Sequence, residues 1–254
     1  MLICVDIGNT NITLGGYQGD ELVFTARLVS DSRRTADQYA VEIYDILRLN
    51  GHNACEVQEA IISSVVPTLT KSVGNAFKKL YNFYPMVLGP GVKTGLNIKI
   101  DNPAQLGADL VAGAIGAMAK YPLPCIVIDM GTATTISAIN EKGEFLGGAI
   151  AAGINLTLEA LTKNTAQLPM VGIEAPKSAI GSNTVDCLKS GIIFGSAAML
   201  DGLLKRIENE LGEPAAVVAT GGLAREVIAH CDHTVVYDEN LLLDGLREIY
   251  YKNN

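Results

Sequence analysis

Short runs of apolar residues alternate along the chain with longer segments in which apolar residues recur every three to four positions. The short runs cover residues 2–5, 61–66, 126–128 and 216–219 and are rich in β-branched side chains. Such runs are typical of strands buried on both faces of a sheet, and the longer spacing indicates helices. Helices are predicted over residues 36–49, 68–81, 104–120, 156–161, 185–211, 223–229 and 241–251. The pattern predicts an α/β protein.

One pattern occurs twice, beginning at residues 2 and 126. In both places an apolar strand ends in Asp, one further residue and Gly, followed by small polar residues, a second strand, a Gly-containing turn and a third strand. Asp6 and Asp129 are 123 positions apart, nearly half of the 254 residues. We therefore predict two similar domains, at residues 1–118 and 119–254, with the two Asp-x-Gly turns facing a central cleft.

The composition changes this picture mainly by excluding partners and compartments. The chain is 48% hydrophobic and 18% charged, with a net charge of −8, so nucleic acid and acidic lipid surfaces are disfavoured. Its longest apolar stretch, residues 110–119, is short of the roughly 20 residues that span a bilayer. The first residues lack signal-peptide features, and the five scattered cysteines are expected to be reduced and mostly in the core. We expect a cytoplasmic protein without a membrane helix.

The two Asp-x-Gly turns carry the groups of an anion-binding loop. Gly8 permits a sharp turn and a close approach to the backbone, and residues 9–13 supply hydroxyl and amide groups. Residues 129–135 repeat this chemistry with more hydroxyls, and neither turn contains Lys or Arg. A phosphate there needs a cation, and Asp6 would approach it through a metal or water. Each turn alone also fits a hairpin with a capping Asp, but their duplication favours phosphate binding.

Asp109 is the candidate proton acceptor. Asn102, Pro103 and Gln105 have the pattern of a helix start, which places Asp109 in an early turn of a helix over residues 104–120. Small residues at 112, 113 and 116 leave one helix face almost bare, so that something can approach closely. Such a carboxylate either stabilises the helix dipole or accepts a proton from a hydroxyl that attacks a phosphoryl group. The sequence leaves both roles open.

A third glycine element, Gly221 and Gly222, follows the predicted strand 216–219 and precedes a helix. Glycines at this position permit a flat ligand to lie against the main chain. The chain contains no GxxxxGK[ST] or GxGxxG loop and no HExxH or GxSxG motif. The His230–His233 segment is predicted to be a polar loop rather than a metal site.

The combined motifs resemble the type III pantothenate kinase family over essentially the whole chain. They are DIGNTN from residue 6, GAD from 107, DMGTATT from 129, GSNT from 181 followed by SGIIFG, and ATGG from 219. The resemblance implies the duplicated ribonuclease-H-like fold of actin, heat-shock ATPases and sugar kinases. It also implies a homodimer with a shared acceptor site that phosphorylates pantothenate to 4'-phosphopantothenate with ATP, the first step toward coenzyme A. Mg²⁺ would accompany the nucleotide, and a monovalent cation, K⁺ or NH₄⁺, would bind as well.

The resemblance also assigns roles by position. Asp109 corresponds to the proton acceptor, Asp129 to the monovalent-cation ligand, and Asp6 to a contact with Mg²⁺ through phosphate or water. The expected nucleotide-binding residues, including the glycines of the third element, are Asp6, Ile7, Gly8, Asn9, Thr10, Asn11, Ile12, Thr13, Thr132, Gly221 and Gly222. The expected acceptor-binding residues are Ile100, Gly107, Ala108, Asp109, Leu110 and Thr184.

Two of these positions depart from the family pattern. Leu110 stands where the family usually has Arg, and Ile100 stands where it often has Tyr. Loss of a guanidinium and a phenol weakens recognition of the polar groups of pantothenate. The alternatives are therefore a kinase for another small alcohol, a sugar or a carboxylate, and a nucleotide-binding regulator without turnover. Retention of Asp6, Asp109 and Asp129 argues against the regulator.

Overall fold

The computed structural model describes all residues from 1 to 254. Its strands are β1 (Leu2–Ile7), β2 (Asn11–Gln18), β3 (Glu21–Val29), β4 (Glu59–Ser64), β5 (Met86–Val87), β6 (Asn97–Ile98), β7 (Cys125–Met130), β8 (Ala133–Ile139), β9 (Glu144–Ala152), β10 (Ala216–Thr220) and β11 (Val236–Tyr237). Its helices are α1 (Ala36–Leu49), α2 (Pro67–Tyr81), α3 (Ala108–Lys120), α4 (Ile154–Lys163), α5 (Thr184–Leu211), α6 (Ala224–Ile228) and α7 (Leu241–Asn253).

The chain divides into two compact units. Unit 1 comprises Met1–Leu96, Asn102–Ala119 and Leu241–Asn254, and unit 2 comprises Asn97–Asp101 and Lys120–Asn240. These bounds differ from the expected division at residue 118 in two places. The segment Leu241–Asn254 packs in unit 1 because α7 lies on β1 and β4, and the short strand β6 pairs with β9 in unit 2.

The two units repeat one sheet topology. The sheet of unit 1 has the order β3-β2-β1-β4-β5, and the sheet of unit 2 has the order β11-β10-β7-β8-β9-β6. In each, the first three strands form an antiparallel meander, and the first strand also pairs in parallel with a fourth strand. The three-stranded meander predicted twice from the sequence is confirmed.

Helices cover both faces of the sheet in unit 1. On one face, α1 and α2 pack through side chains such as Tyr39, Ile43 and Phe77 against Val5 and Ile62 of the sheet. On the opposite face, α3 and α7 contribute buried residues to a cluster with strand residues of β1 and β4, which includes Val111, Leu246, Leu2, Cys4 and Ile61. The side chains of β1 therefore alternate between two cores.

In unit 2, helices α4, α5 and α6 pack on one face of the sheet around Ile126 and Ile128. Helix α5 has 28 residues and is long and apolar enough to cross a membrane by length and composition, whereas the sequence predicted no membrane helix. Six of its residues are buried, and five of them, including Ile193 and Leu204, belong to the core cluster of unit 2. In its most apolar stretch of 18 residues, 33% is buried inside the protein.

The expected start of α3 and the expected burial of the cysteines are both wrong. Residues 103–105 form a separate 3-10 turn, the Asn102 side chain makes no cap hydrogen bond, and α3 begins only at Ala108. Of the cysteines, Cys4 and Cys125 are buried, but Cys55 and Cys187 are exposed, so the cysteines are not mostly core residues.

The loop around His233 is polar, as expected, and no group of three or more potential metal ligands occurs in the chain. His233 Nδ1 lies 2.9 Å from an Asp201 carboxylate oxygen of α5, and its Nε2 lies 3.4 Å from Glu208. The side chain therefore ties the loop to α5.

Candidate active site

The first Asp-x-Gly turn is a tight connection between β1 and β2. The Gly8 N–H donates to the Asn11 carbonyl at 2.9 Å. A Cβ on residue 8 would lie only 3.2 Å from that carbonyl oxygen, so glycine suits the position. Because its N–H is already used, Gly8 can offer a ligand only close approach. Asn9, Thr10 and Asn11 are exposed and have polar side chains.

Ser30 is a residue of this turn that sequence reasoning missed. It directly follows β3, and its N–H donates to the Thr10 carbonyl at 3.0 Å. Its hydroxyl donates to the Gly8 carbonyl at 2.6 Å. Ser30 therefore holds the turn at two points, the carbonyls of Gly8 and Thr10. Its only signal in the sequence is a polar residue at the end of the third strand of the meander.

Two of the expected nucleotide-binding residues face the core. The side chains of Ile7 and Ile12 are 0% and 1% exposed and belong to the cluster beneath α1 and α2. Only their main-chain atoms can contact a ligand. Asp6 and Thr13 are partly exposed and are register partners on neighbouring strands, so their side chains share one face of the sheet.

The second Asp-x-Gly turn has the same construction in unit 2. The Gly131 N–H donates to the Ala133 carbonyl at 3.0 Å. Gly153, directly after the third strand β9, donates its N–H to the Thr132 carbonyl at 3.1 Å, as Ser30 does in unit 1. A Cβ on residue 153 would overlap the carbonyl oxygens of the turn, so this contact requires glycine. Thr132 is exposed at the apex of the turn.

Gly221 also packs against this second turn. It has a φ of +96°, and a Cβ there would lie 2.6 Å from the Met130 carbonyl oxygen. Thr220, the residue before it, is the register partner of Asp129. Unit 2 thus brings together the Asp129 turn and the third glycine element. Helix α6 has only five residues, so it adds no helix-terminal anion site beyond the glycines.

Asp109 lies in the first turn of α3 and is partly buried. The Leu110 N–H donates to its Oδ1 at 2.8 Å. A Cβ on residue 107 would overlap this Oδ1, so Gly107 leaves room for the folded-back carboxylate. Burial raises the pKa of the Asp109 carboxyl, although hydrogen bonds from the backbone oppose the shift. The carboxylate is therefore a better proton acceptor than an ordinary aspartate.

The bare face of α3 is not open to a ligand. A Cβ on Gly116 would overlap the carbonyl oxygen of Leu241, and one on Gly245 would overlap that of Ala112. The two glycines let the backbones of α3 and α7 approach closely. The expectation that something can approach this face closely is confirmed, and what approaches is the backbone of α7.

The remaining acceptor-binding candidates are divided between the two units. Ala108 and Leu110 flank Asp109 on α3 in unit 1, and Ala108 packs on the cluster shared with β1 and β4. Ile100 belongs to unit 2 and packs beside Gly147 of β9, where its Cγ2 would lie 3.5 Å from a Cβ on residue 147. Thr184 is exposed at the first position of α5, after the cap residue Asn183.

Ile100 and the Asp129 turn are well separated within unit 2. Gly147 is five residues along β9 from Ala152, the end that meets the turn. At about 3.3 Å per residue this is roughly 16 Å. The fold therefore does not bring Ile100 to the Asp129 turn.

The donor groups fit a metal that is held largely by a ligand. No cluster of three or more His, Cys, Asp or Glu residues could hold a metal by itself. Asp6 and Asp129 each end a strand, and each has hydroxyl residues as register partners on both sides. Mg²⁺ typically binds one or two carboxylates together with phosphates and water. These residues therefore fit Mg²⁺ that arrives with a nucleotide.

Comparison with known proteins identifies close relatives of the chain. A sequence profile of the type III pantothenate kinase family matches residues 2–206. Type III pantothenate kinases of Moorella thermoacetica and Halalkalibacterium halodurans are each 42% identical to it over 253 residues, covering 100% of both chains.

Solved structures establish the fold. A protein from Campylobacter jejuni described as a Baf family transcriptional activator has a TM-score of 0.65 at 21% identity, covering 99% of this chain and 98% of its own. Component A of (R)-2-hydroxyglutaryl-CoA dehydratase from Acidaminococcus fermentans has a TM-score of 0.57 at 15% identity, with coverages of 99% and 97%. These matches cover almost the whole chain and show that it shares its fold with these proteins. The α/β class predicted from the sequence is confirmed.

Proposed function

We propose that this chain, which belongs to the type III pantothenate kinase family, uses Asp109 as the proton acceptor of its reaction. The reaction is the ATP-dependent phosphorylation of pantothenate, the first step of coenzyme A biosynthesis. The chain is a kinase, and its substrates are pantothenate and ATP with a divalent metal.

The observation that carries the Asp109 assignment is a partly buried carboxylate, folded back onto the Leu110 N–H in the first turn of α3, whose pKa is raised by burial. The acceptor hydroxyl would lose its proton to Asp109 while its oxygen forms a bond to the γ-phosphorus of ATP. The bond from that phosphorus to the β–γ bridging oxygen breaks, and ADP leaves. Positioned general bases contribute about 10²- to 10⁴-fold to such steps.

The nucleotide phosphates would lie against the turn of residues 6–13, held by the exposed groups of Asn9, Thr10 and Asn11. Thr132 would be a further nucleotide contact, and Gly221 and Gly222 would let the adenosine side approach the main chain. Because neither turn contains Lys or Arg, Mg²⁺ supplies the positive charge that the triphosphate requires. Asp6 would orient the hydrated metal from the end of β1.

Asp129 would bind a monovalent cation, K⁺ or NH₄⁺. It occupies the same strand position in unit 2 as Asp6 in unit 1, and its register partners Thr135 and Thr220 supply neighbouring oxygen ligands. Oxygen ligands suit such hard cations. A cation there would offset part of the −8 net charge that disfavours ATP binding.

The acceptor would contact Gly107, Ala108 and Leu110 around Asp109, with Thr184 and Ile100 as further candidates. Leu110 makes the surroundings of Asp109 more apolar than an arginine would, which is the observation that favours a different small alcohol as the second candidate substrate. We place the protein in the cytoplasm as a homodimer whose acceptor site includes Thr184.

The experiment that tests these assignments measures product formation rather than ATP loss alone. Purified protein is incubated with Mg²⁺, ATP and one acceptor at a time: pantothenate, a panel of sugars, and small hydroxy acids. Each reaction runs in potassium and in sodium buffer, with the parent and with Asp129→Ala. Mass spectrometry identifies the phosphorylated product.

We expect 4'-phosphopantothenate as the main product, faster in potassium, with the potassium response lost in Asp129→Ala. A phosphorylated sugar or hydroxy acid in place of phosphopantothenate would assign the second candidate. Equal rates in potassium and sodium for the parent would remove the cation role of Asp129 without affecting that of Asp109.

A further inference from the structure

Ser63 is a fully buried hydroxyl that the reaction described above does not use. It lies near the carboxyl end of β4 and is 0% exposed. Its Oγ has no hydrogen-bond partner. A buried polar group without a partner costs free energy, so its presence calls for a state of the protein in which it is satisfied.

The sheet register places Ser63 beside Asp6. The two residues are partners on the neighbouring parallel strands β1 and β4. Thr13 of β2 is the partner of Asp6 on the other side. Register partners on adjacent strands point to the same face of a sheet, about 4.8 Å apart. Asp6 is therefore the centre of a row of three oxygen-bearing side chains.

This row lies on the sheet face that α3 covers. Leu2 and Cys4 precede Asp6 at alternate positions of β1, and Ile61 precedes Ser63 on β4. All three belong to the cluster that also contains Val111 and Ala112 of α3. Ser63 is thus on the side of the sheet that carries the helix of Asp109.

Unit 2 contains the same arrangement. Asp129 has Thr135 as its partner on β8 and Thr220 as its partner on β10. Here too one of the hydroxyls, Thr135 Oγ1, is buried without a hydrogen-bond partner. The unpartnered hydroxyl is on the parallel neighbouring strand in unit 1 and on the antiparallel one in unit 2, so each strand-end Asp has one such hydroxyl beside it, at different positions.

We propose that Ser63 is a positioning residue for Asp6: its hydroxyl donates a hydrogen bond to one Asp6 carboxylate oxygen when the metal nucleotide binds. The other oxygen is then directed toward the hydrated metal. A serine hydroxyl has a donor, and an ionised carboxylate accepts only. The inference rests on the proposed role of Asp6 in the phosphate site.

The neighbouring Ser64 offers a matched control. Its hydroxyl accepts the Val66 N–H at 3.0 Å and a hydrogen bond from Thr70 Oγ1 at 2.7 Å, at the start of α2. Ser64→Ala is expected to lower the thermal stability of the ligand-free protein because these bonds are lost. Ser63→Ala breaks no hydrogen bond, so it is expected to leave the melting temperature unchanged or raise it.

In the presence of ligand, Ser63→Ala should have the larger effect and Ser64→Ala the smaller one. The measurement is the rise in melting temperature caused by Mg²⁺ and ADP, together with the Mg²⁺ concentration that gives half-maximal turnover. Residues that orient a metal ligand typically change metal affinity or activity by about 10- to 100-fold. We expect Ser63→Ala to need about 10-fold more Mg²⁺ with an unchanged KM for pantothenate, Ser64→Ala to need no more, and Ser63→Thr to restore the parent value.

A double variant separates this inference from the role of Asp6. If Ser63 acts through Asp6, Ser63→Ala should add no further loss in an Asp6→Asn background. Parent-like Mg²⁺ dependence in Ser63→Ala, with a large loss in Asp6→Asn, would overturn the role of Ser63 alone. Parent-like behaviour of Asp6→Asn would overturn the proposed phosphate site as well. A lowered melting temperature of ligand-free Ser63→Ala would show that the hydroxyl stabilises the fold instead.

Discussion

At the scale of single residues, the ionisation of Asp109 is decided by opposing effects. Burial disfavours the charged carboxylate and raises its pKa, whereas backbone hydrogen bonds, including the one from the Leu110 N–H, lower it. Burial is the larger effect, so the net shift is upward. A carboxylate with a raised pKa holds a transferred proton more readily than an ordinary aspartate.

The raised pKa predicts a distinct titration of the Asp109 carboxyl. In protein labelled with ¹³C at aspartate carboxyls, the resonance that disappears in Asp109→Asn should titrate with a midpoint above about 3.9, the value of a free aspartate. The proton acceptor is active only when ionised, so turnover should fall as the pH drops through this midpoint. A midpoint at or below that of free aspartate would contradict the burial argument.

Residue types at the turns could be predicted because the chemistry is local in sequence. Gly8, Thr10 and their neighbours are adjacent along the chain, so their hydroxyls, amides and sharp turn are visible in the sequence. Ser30 and Ser63 reach the first turn and Asp6 through strand pairing across 20 or more residues, and a serine gives no local signal of that. Only the pairing of the strands in the structure shows which residues these two serines lie beside.

At the scale of elements, α3 and α7 cross in close contact and cover one face of the sheet of unit 1. Gly116 and Gly245 bring the two backbones into contact, and α7 also packs on β1 and β4. Small residues on one helix face indicate a close approach, but the sequence does not identify what approaches. The predicted start of α3 is too early because Asn102, Pro103 and Gln105 have the pattern of a helix start. In the structure they begin only a short 3-10 turn.

Gly116→Ala should destabilise the protein because the added methyl group overlaps the Leu241 carbonyl oxygen. Overpacking of this kind typically costs about 1–3 kcal/mol. The matched control is Gly74→Ala in α2, where a Cβ meets nothing within 4 Å. That change should stabilise the helix by about 0.5–1 kcal/mol. Urea unfolding compares the two, and equal free energies of unfolding would contradict the close crossing.

At the scale of the whole molecule, the duplicated topology is the feature that the sequence predicted best. The repeated order of strand, Asp, Gly and polar residues predicts a three-stranded meander in each unit. Both meanders are present. The return of α7 to unit 1 was not predicted, because a helical pattern at the end of a chain does not identify its partner sheet.

A homodimer is expected for the whole protein. Unit 2 leaves large apolar side chains exposed, among them Ile150 at 76% and Leu156 at 50%, and a partner subunit would cover them. Light scattering at micromolar concentration should give twice the 26.8 kDa of one chain. A single species of 26.8 kDa would contradict both the dimer and the contribution of Thr184 to a shared acceptor site.

The most direct test of the account is the turnover of Asp109→Asn with Mg²⁺, ATP and pantothenate. The amide is nearly isosteric but cannot accept the proton, so kcat should fall at least about 10²-fold while ADP binding, measured by calorimetry, stays as in the parent. Asp37→Asn is the control, since Asp37 is likewise acidic in the first turn of a helix but pairs with Lys79 at the surface. Turnover of Asp109→Asn near the parent and control rates would contradict the assignment of Asp109 as the proton acceptor.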